Sequence, residues 1–412
     1  QLNPFDKAGA FELKTLFSTI ADDFANKNIM AITILIKIPF VLFVFQNSKR
    51  ILWKIISSLT LIPAISLVFI LNARAAYIGI VLIFLIYVTA QTVFFFKLDK
   101  KMSGLRNISI VFFVLLLTSV VADKILSKYS ENSVYGTVFE RIKTINFKSS
   151  SGRIMYWKEG LNLFEDNFIL GVGEGNFKID FLEYRNLKLT DSLVYPRRLH
   201  NDFLETAIET GIFGGSCYLS MFFCLLIYFR RTQKRAENSF TKELAFLSLL
   251  AAAAYSVDAF FNFPMERSNI QVYFGMFMAV SVISYLGFDH RKDDHTEVGW
   301  LPVIWISTVI VLLAICYLNF ISLKSSQFQY KYHKDKKTLK QKADDVAQQF
   351  PNFPTIDYTG QPIKTIKAIY YMKEKRFQEA LDVLNKGKNP SPHFLMEDYL
   401  KVNIYTQMGR FD

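Results

Sequence analysis

One histidine and two arginines carry the side chains best suited to chemistry in this chain. His200 stands in a long polar stretch, Ser149 to Gly215, directly after Arg197 and Arg198. Arg153 lies near the start of the same stretch. Arg74, in Asn72-Ala-Arg-Ala-Ala76, heads an apolar block. A guanidinium is a planar, permanently charged fork of donors that grips a phosphate group. An imidazole exchanges a proton near neutral pH. Each residue also has a plainer reading: Arg74 snorkelling at a membrane-water boundary, Arg153 at a solvated helix end, His200 as a structural loop residue.

The neighbours of these residues suggest how they are held. Ser151 starts a helix whose apolar side runs through Trp157, Leu161 and Phe164. Asn201 or Asp202 caps a second helix directly after His200, and Glu205 follows one turn beyond Asn201. Gly171-Val-Gly-Glu-Gly lacks the preceding strand and βαβ unit of a dinucleotide loop. It reads as a tight turn that lets backbone approach closely. No carboxylate pair at glycosidase spacing and no His/Cys/Asp cluster at metal spacing is found.

The elements that position these residues are membrane helices. The 412 residues are 51% hydrophobic, with 40 Phe, and eight apolar blocks approach bilayer length. They fall at 29–46, 51–71, 75–96, 108–122, 211–229, 244–263, 270–288 and 301–321. The fold class is all-α: a polytopic helical membrane protein with a large loop and a helical tail. Lys49, Arg50 and Lys54, then Lys97, Lys100, Lys101 and Arg106, then Arg230, Arg231, Lys234, Arg235 and Lys242, then Arg291 and Lys292 occupy alternate loops. The positive-inside rule assigns these to the cytoplasm, which accounts for the net charge of +12 without a nucleic-acid partner. Residues 1–28 (amphipathic through Phe11 to Phe24), the loop 123–210 and the tail from 322 then fall outside. Lys37 sits near the middle of the first span, by snorkelling or by an error in its edges. Asp258 reaches outer water or pairs with Arg267. Cys217, Cys224 and Cys316 are read as packing residues in apolar blocks. The chain begins at Gln1 and ends inside a repeat, with no signal peptide, so further spans are expected before it.

The tail, 322–412, is a separate soluble region. Tyr371-Met-Lys-Glu-Lys-Arg-Phe377 is echoed by Tyr405-Thr-Gln-Met-Gly-Arg-Phe411, a spacing of 34 residues that matches the tetratricopeptide period. An unrelated helical hairpin is the alternative. Such arrays offer concave surfaces to a protein partner.

The polar stretch resembles the Wzy_C domain of the O-antigen ligase superfamily. Its pattern is met by Gly152, Arg153, Trp157, Gly171, Gly173, Phe177, His200, Asn201, Phe203, Leu204, Glu205, Glu209, Gly211 and Gly214. Asn72-Ala-Arg resembles the family's Ser-Arg motif, with Asn72-Ala73 a departure. Phe24-Ala-Asn-Lys-Asn28 and Phe261-Asn-Phe-Pro264 resemble two further signatures, so the likeness runs over about residues 20–285. The resemblance implies a glycosyltransferase of the bacterial inner membrane, with its active loop and tail periplasmic. It implies transfer of a glycan from undecaprenyl pyrophosphate to a hydroxyl without metal or other cofactor. The acceptor implied is lipid A-core, with a protein Ser/Thr or another glycan as alternatives. A non-catalytic lipid-glycan transporter or scaffold is the alternative of another class. Arg74 and Arg153 correspond to the family's pyrophosphate-binding arginines and His200 to its histidine, with Asn201, Glu205, Trp157 and Arg198 in support. The chemistry is coherent: two fixed cations stabilise a pyrophosphate leaving group, and an imidazole near neutral pH takes the proton of the attacking hydroxyl.

Overall fold

The computed structural model describes residues 27–92, 101–129, 136–143, 151–185, 196–287, 301–335, 338–350, 353–357 and 359–410. The amphipathic stretch before Lys27, the loop residues Lys97, Lys100, Arg291 and Lys292, and Phe411 of the repeat lie outside these. In chain order the helices are α1 (Lys27–Leu35), α2 (Ile38–Asn47), α3 (Ile51–Ile70), α4 (Arg74–Ala90), α5 (Lys101–Tyr129), α6 (Val138–Lys143), α7 (Ser151–Asp166), α8 (Phe177–Tyr184), α9 (Asp202–Arg235), α10 (Ser239–Phe261), α11 (Ser268–Leu286), α12 (Leu301–Asp335), α13 (Ala343–Gln349), α14 (Ile363–Lys373), α15 (Phe377–Asn385) and α16 (Met396–Gln407). A 3-10 turn, Pro264–Glu266, joins α10 to α11. Among the described residues every regular element is helical, as a chain that satisfies its backbone within lipid requires.

Seven helices among the described residues are long and apolar enough to cross a membrane. The chain is therefore an all-α, multi-pass membrane protein. α4 opens the block expected at 75–96, whose last residues lie outside the described ones. The block expected at 108–122 is longer than its apolar core suggested and runs Ile108–Lys128. The first block is broken at Ile36–Lys37. Lys37 sits at that break, before Pro39, with its ammonium 4.8 Å from the Tyr273 ring centre. The helix break and a cation–π contact accommodate this charge. Cys217, Cys224 and Cys316 are exposed rather than packed in the core.

Two compact units form. The first takes in the described parts of Gln1–Phe164, Phe168–Gly171 and Arg198–His290. Its central helix is α10: 67% of its apolar window is buried. The run Ala251 to Ala254 is small enough for α4, α9 and α11 to approach it closely. Tyr255 stacks on Phe274 of α11 at 4.2 Å. Leu35, Ile36, Val68, Leu71 and Ala76 extend the same core to α1, α3 and α4.

The second unit takes in Glu165–Asn167, Val172–Arg197 and Arg291–Asp412 where described. Tyr332, Val346, Phe350, Ile366, Tyr370 and Leu384 form its core. Arg376, in the turn between α14 and α15, grips Asp344 with two hydrogen bonds of 2.8 and 3.0 Å. It also lies over the Tyr371 ring. His393 approaches Glu183 of α8 at 3.4 Å.

A candidate active site around His200

His200 has a backbone φ of +58°. That left-handed conformation is uncommon for a residue with a Cβ, and it persists where its neighbours over-determine it. Leu199, immediately before, is bound on both sides. Its N–H donates to Glu205 Oε2 at 2.7 Å. Its carbonyl accepts from the Trp157 indole N–H at 3.0 Å. Its side chain is fully buried, close enough to Gly160 that a Cβ there would sit 3.0 Å from it. Immediately after, Asn201 caps α9, its Oδ1 accepting from the Leu204 N–H at 3.1 Å. Asp202 is not the cap; it accepts from the Met265 N–H at 2.9 Å instead. Arg198 donates to Glu205 Oε1 at 2.6 Å and also pairs with Glu266. Its guanidinium is thus engaged by two carboxylates and braces the loop.

A glycine crossing supports the same loop from below. Gly171 and Gly211 have φ values of +70° and +69°. A Cβ on Gly171 would overlap the Glu209 backbone, and one on Gly211 would overlap the Ile169 carbonyl. The Ile212 N–H donates to the Phe168 carbonyl at 2.8 Å across this crossing. Gly211 also breaks α9 into two helical parts.

Arg74 is the first residue of α4, where Asn72 turns the chain with φ +55°. The departure at Asn72 has a physical reason, because Asn tolerates the left-handed region. Its side chain then serves as a hub: Nδ2 donates to the Gly136 carbonyl at 3.0 Å, and Oδ1 accepts from the Tyr77 hydroxyl at 3.0 Å. Arg153 lies in the first turn of α7. Burial pulls its guanidinium down from the usual value; Arg74 adds to this and Asp258 opposes it. His200 is pushed down to about 4 by burial and then by the Arg153 cation. Arg153 therefore lies within electrostatic reach of both Arg74 and His200. Nδ1 of His200 is closed off from solvent and has no hydrogen-bond partner among the described residues. The expectation of an imidazole titrating near neutrality needs correction: without a bound anion, this imidazole stays neutral far below pH 7.

Asp258 differs from expectation too. It is buried at the end of α10, and its carboxylate accepts from Asn262 Nδ2 at 2.5 Å. The charge it faces is Arg153, not Arg267, whose guanidinium lies over the Phe263 ring. Phe263 also packs on the His200 ring, centres 5.1 Å apart. Asn28, Asp258, Asn262, Phe263 and Arg267 line a small cleft. The spacing of residues did not suggest Glu266 or the Arg153–Asp258 relation.

With this geometry in view, the O-antigen ligase family model, Wzy_C, matches residues 26–219. Over that stretch the chain is similar to the O-antigen ligase family. The match takes in Arg74, Arg153 and His200, and it ends before Phe261-Asn-Phe-Pro264. The family's activity is of the glycosyltransferase kind, in ligases and polymerases that act on lipid-linked glycan and an acceptor. No curated protein matches the chain.

Proposed function

We propose that this protein transfers a glycan from undecaprenyl pyrophosphate to a hydroxyl of lipid A-core, without a metal. The carrying observation is the electrostatic series of His200, Arg153 and Arg74 within one compact unit. The acceptor oxygen attacks the anomeric carbon and its proton passes to His200. The bond from that carbon to the phosphate oxygen breaks, and the electron pair leaves with the pyrophosphate. Arg153 and Arg74 stabilise that charge. Asn201, Glu205, Trp157 and Arg198 hold the loop that carries His200. A bound pyrophosphate offsets the Arg153 cation and raises the imidazole toward its ordinary value.

The basic loops support an inner-membrane protein whose loop 123–210 and tail face the periplasm. On this reading residues 1–321 act as the membrane domain. The tail from 322 is a tetratricopeptide-type docking element for a protein partner. Protein O-oligosaccharyl transfer and glycan polymerisation use the same chemistry on other acceptors. The test is to incubate purified protein and undecaprenyl-pyrophosphate-linked glycan with lipid A-core, a Ser/Thr peptide or free glycan, in chelator. Glycosylated lipid A-core is expected. Product on the peptide or glycan alone reassigns the acceptor, product on none of them rejects transfer, and loss on chelation rejects the metal-free route.

A further inference from the structure

Past its apolar part, α12 carries a row of lysines that the candidate site does not use. From Lys324 to Lys342 the sequence holds seven lysines and a single carboxylate, Asp335. That carboxylate is committed within the tail. It accepts from the Lys340 N–H at 2.8 Å, the Gln341 N–H at 3.1 Å and the Tyr370 hydroxyl at 3.0 Å. The row starts where the apolar run stops. Counted from Leu301, the length that crosses hydrocarbon, about 20 residues, is reached at Phe320. Tyr317 and Phe320 stand exposed there, as aromatic side chains do at a membrane edge, and Lys324 follows one turn later.

Beyond that point α12 is two-sided. Phe328 and Tyr332 turn to the tail's core, where they meet Phe350 and Tyr370, with ring centres 6.0 Å apart in each pair. Lys324, Lys331 and Lys334 share another side, at intervals of two turns and one turn, and all three are exposed. Each ammonium lies over an aromatic ring one turn closer to the membrane. Lys324 lies over Phe320 at 4.7 Å, Lys331 over Phe328 at 5.3 Å and Lys334 over Tyr330 at 4.6 Å. The direction has a backbone cause: helical side chains tilt toward the N-terminus, and the N-terminal part of α12 is the membrane span. The rings also steady three long side chains, so less freedom is lost when they meet an anion.

The phosphate layer of a bilayer begins where its hydrocarbon ends. The ammoniums start at that depth and extend outward over about 15 Å of helix, from Phe320 to Tyr330 at 1.5 Å per residue. An anionic surface attracts cations across about a Debye length, roughly 8–10 Å, so all three lie within its reach. We propose that Lys324, Lys331 and Lys334 bind the head groups of anionic phospholipids and hold the tail unit against the bilayer surface. An open row of separate cations, brought to the surface by its own span, matches charges presented in a plane rather than one soluble phosphate. Phosphate head groups line both sides of a bilayer, so the assignment does not depend on which side the tail occupies.

The test reconstitutes the full chain in phosphatidylcholine vesicles that carry a trace of photoreactive phosphatidylglycerol or photoreactive phosphatidylcholine, each activated at the head group. Crosslinks to the stretch 324–342 are counted by mass spectrometry. The wild type is expected to favour phosphatidylglycerol about fivefold or more, the worth of one lysine near an anionic surface. Lys324→Gln, Lys331→Gln and Lys334→Gln combined should remove that preference, and the same three positions changed to Arg should keep it. Gln at the exposed Lys375, Lys386 and Lys388, off α12, should leave it unchanged. Salt of about 1 M, where the Debye length falls to about 3 Å, should reduce it in the wild type without any substitution. Equal crosslinking of the two lipids by the wild type overturns the proposal, as does a preference that survives the α12 Gln variant or high salt. Loss of the preference in the Arg variant or in the variant off α12 overturns it as well. Displacement of the lipid by millimolar inorganic phosphate at constant ionic strength would make this a site for a soluble anion and reject the lipid surface.

Discussion

Glu205 and Leu199 are joined by a 2.7 Å hydrogen bond from the Leu199 N–H to Glu205 Oε2. Because Leu199 precedes His200, this carboxylate sets the imidazole's position without touching it. The Trp157 indole holds the other side of the same residue. The proposed base thus depends for its position on two side chains from two helices, α9 and α7.

Glu205→Gln is therefore expected to lower kcat by about tenfold or more with little change in donor KM, since a misplaced base costs rate rather than binding. Trp157→Phe removes one hydrogen bond, on the order of 1 kcal/mol, and should give a milder loss of the same kind. Kinetics in which KM moves and kcat stays would show that these residues serve donor binding.

His200→Ala should leave a membrane-inserted protein that binds donor and transfers glycan about 10²–10⁴-fold more slowly. The pH profile of the wild type gives a second check. Because burial and Arg153 hold the free imidazole down to about 4, the acidic limb of kcat/KM should lie near there. The limb of kcat, which reports the complex, should lie higher, as the bound pyrophosphate neutralises Arg153. Identical limbs for kcat and kcat/KM would mean that the anion does not bind beside His200.

Arg74→Lys and Arg153→Lys keep the charge and lose the planar fork. Each is expected to cost about 10²-fold in donor turnover, measured with lipid-linked glycan. Full activity in either Lys variant would replace the two-pronged clamp with a simple point charge.

Gly171→Ala and Gly211→Ala put a Cβ where backbone already lies, at φ values that L residues avoid. Each should destabilise the protein by at least about 1–2 kcal/mol, seen as a lower thermal midpoint in detergent. Gly275→Ala, on α11, meets nothing within 4 Å and serves as the tolerated comparison.

Much of this protein was legible from composition and spacing. Apolar blocks of bilayer length dictate helices, because the backbone has no other way to be satisfied in lipid. The breaks were not legible in this way: Lys37 lies inside an apolar block that reads as one span, and Gly211 at the start of another. The types and order of Arg74, Arg153 and His200 indicated phosphate binding and proton transfer, since those properties belong to the side chains themselves.

What the chain alone left open was everything set by neighbours distant in sequence. The imidazole's low proton affinity comes from burial and from Arg153, on a different helix. Asp258 faces Arg153 rather than Arg267, a residue much nearer to it along the chain. The segment that enters α6 meets the start of α4 through Asn72, which binds the carbonyl of Gly136, 64 residues away. Spacing reports which chemical groups are present on a helix or turn. Burial and Coulomb energy depend on distance through space, and the tertiary structure alone decides that distance.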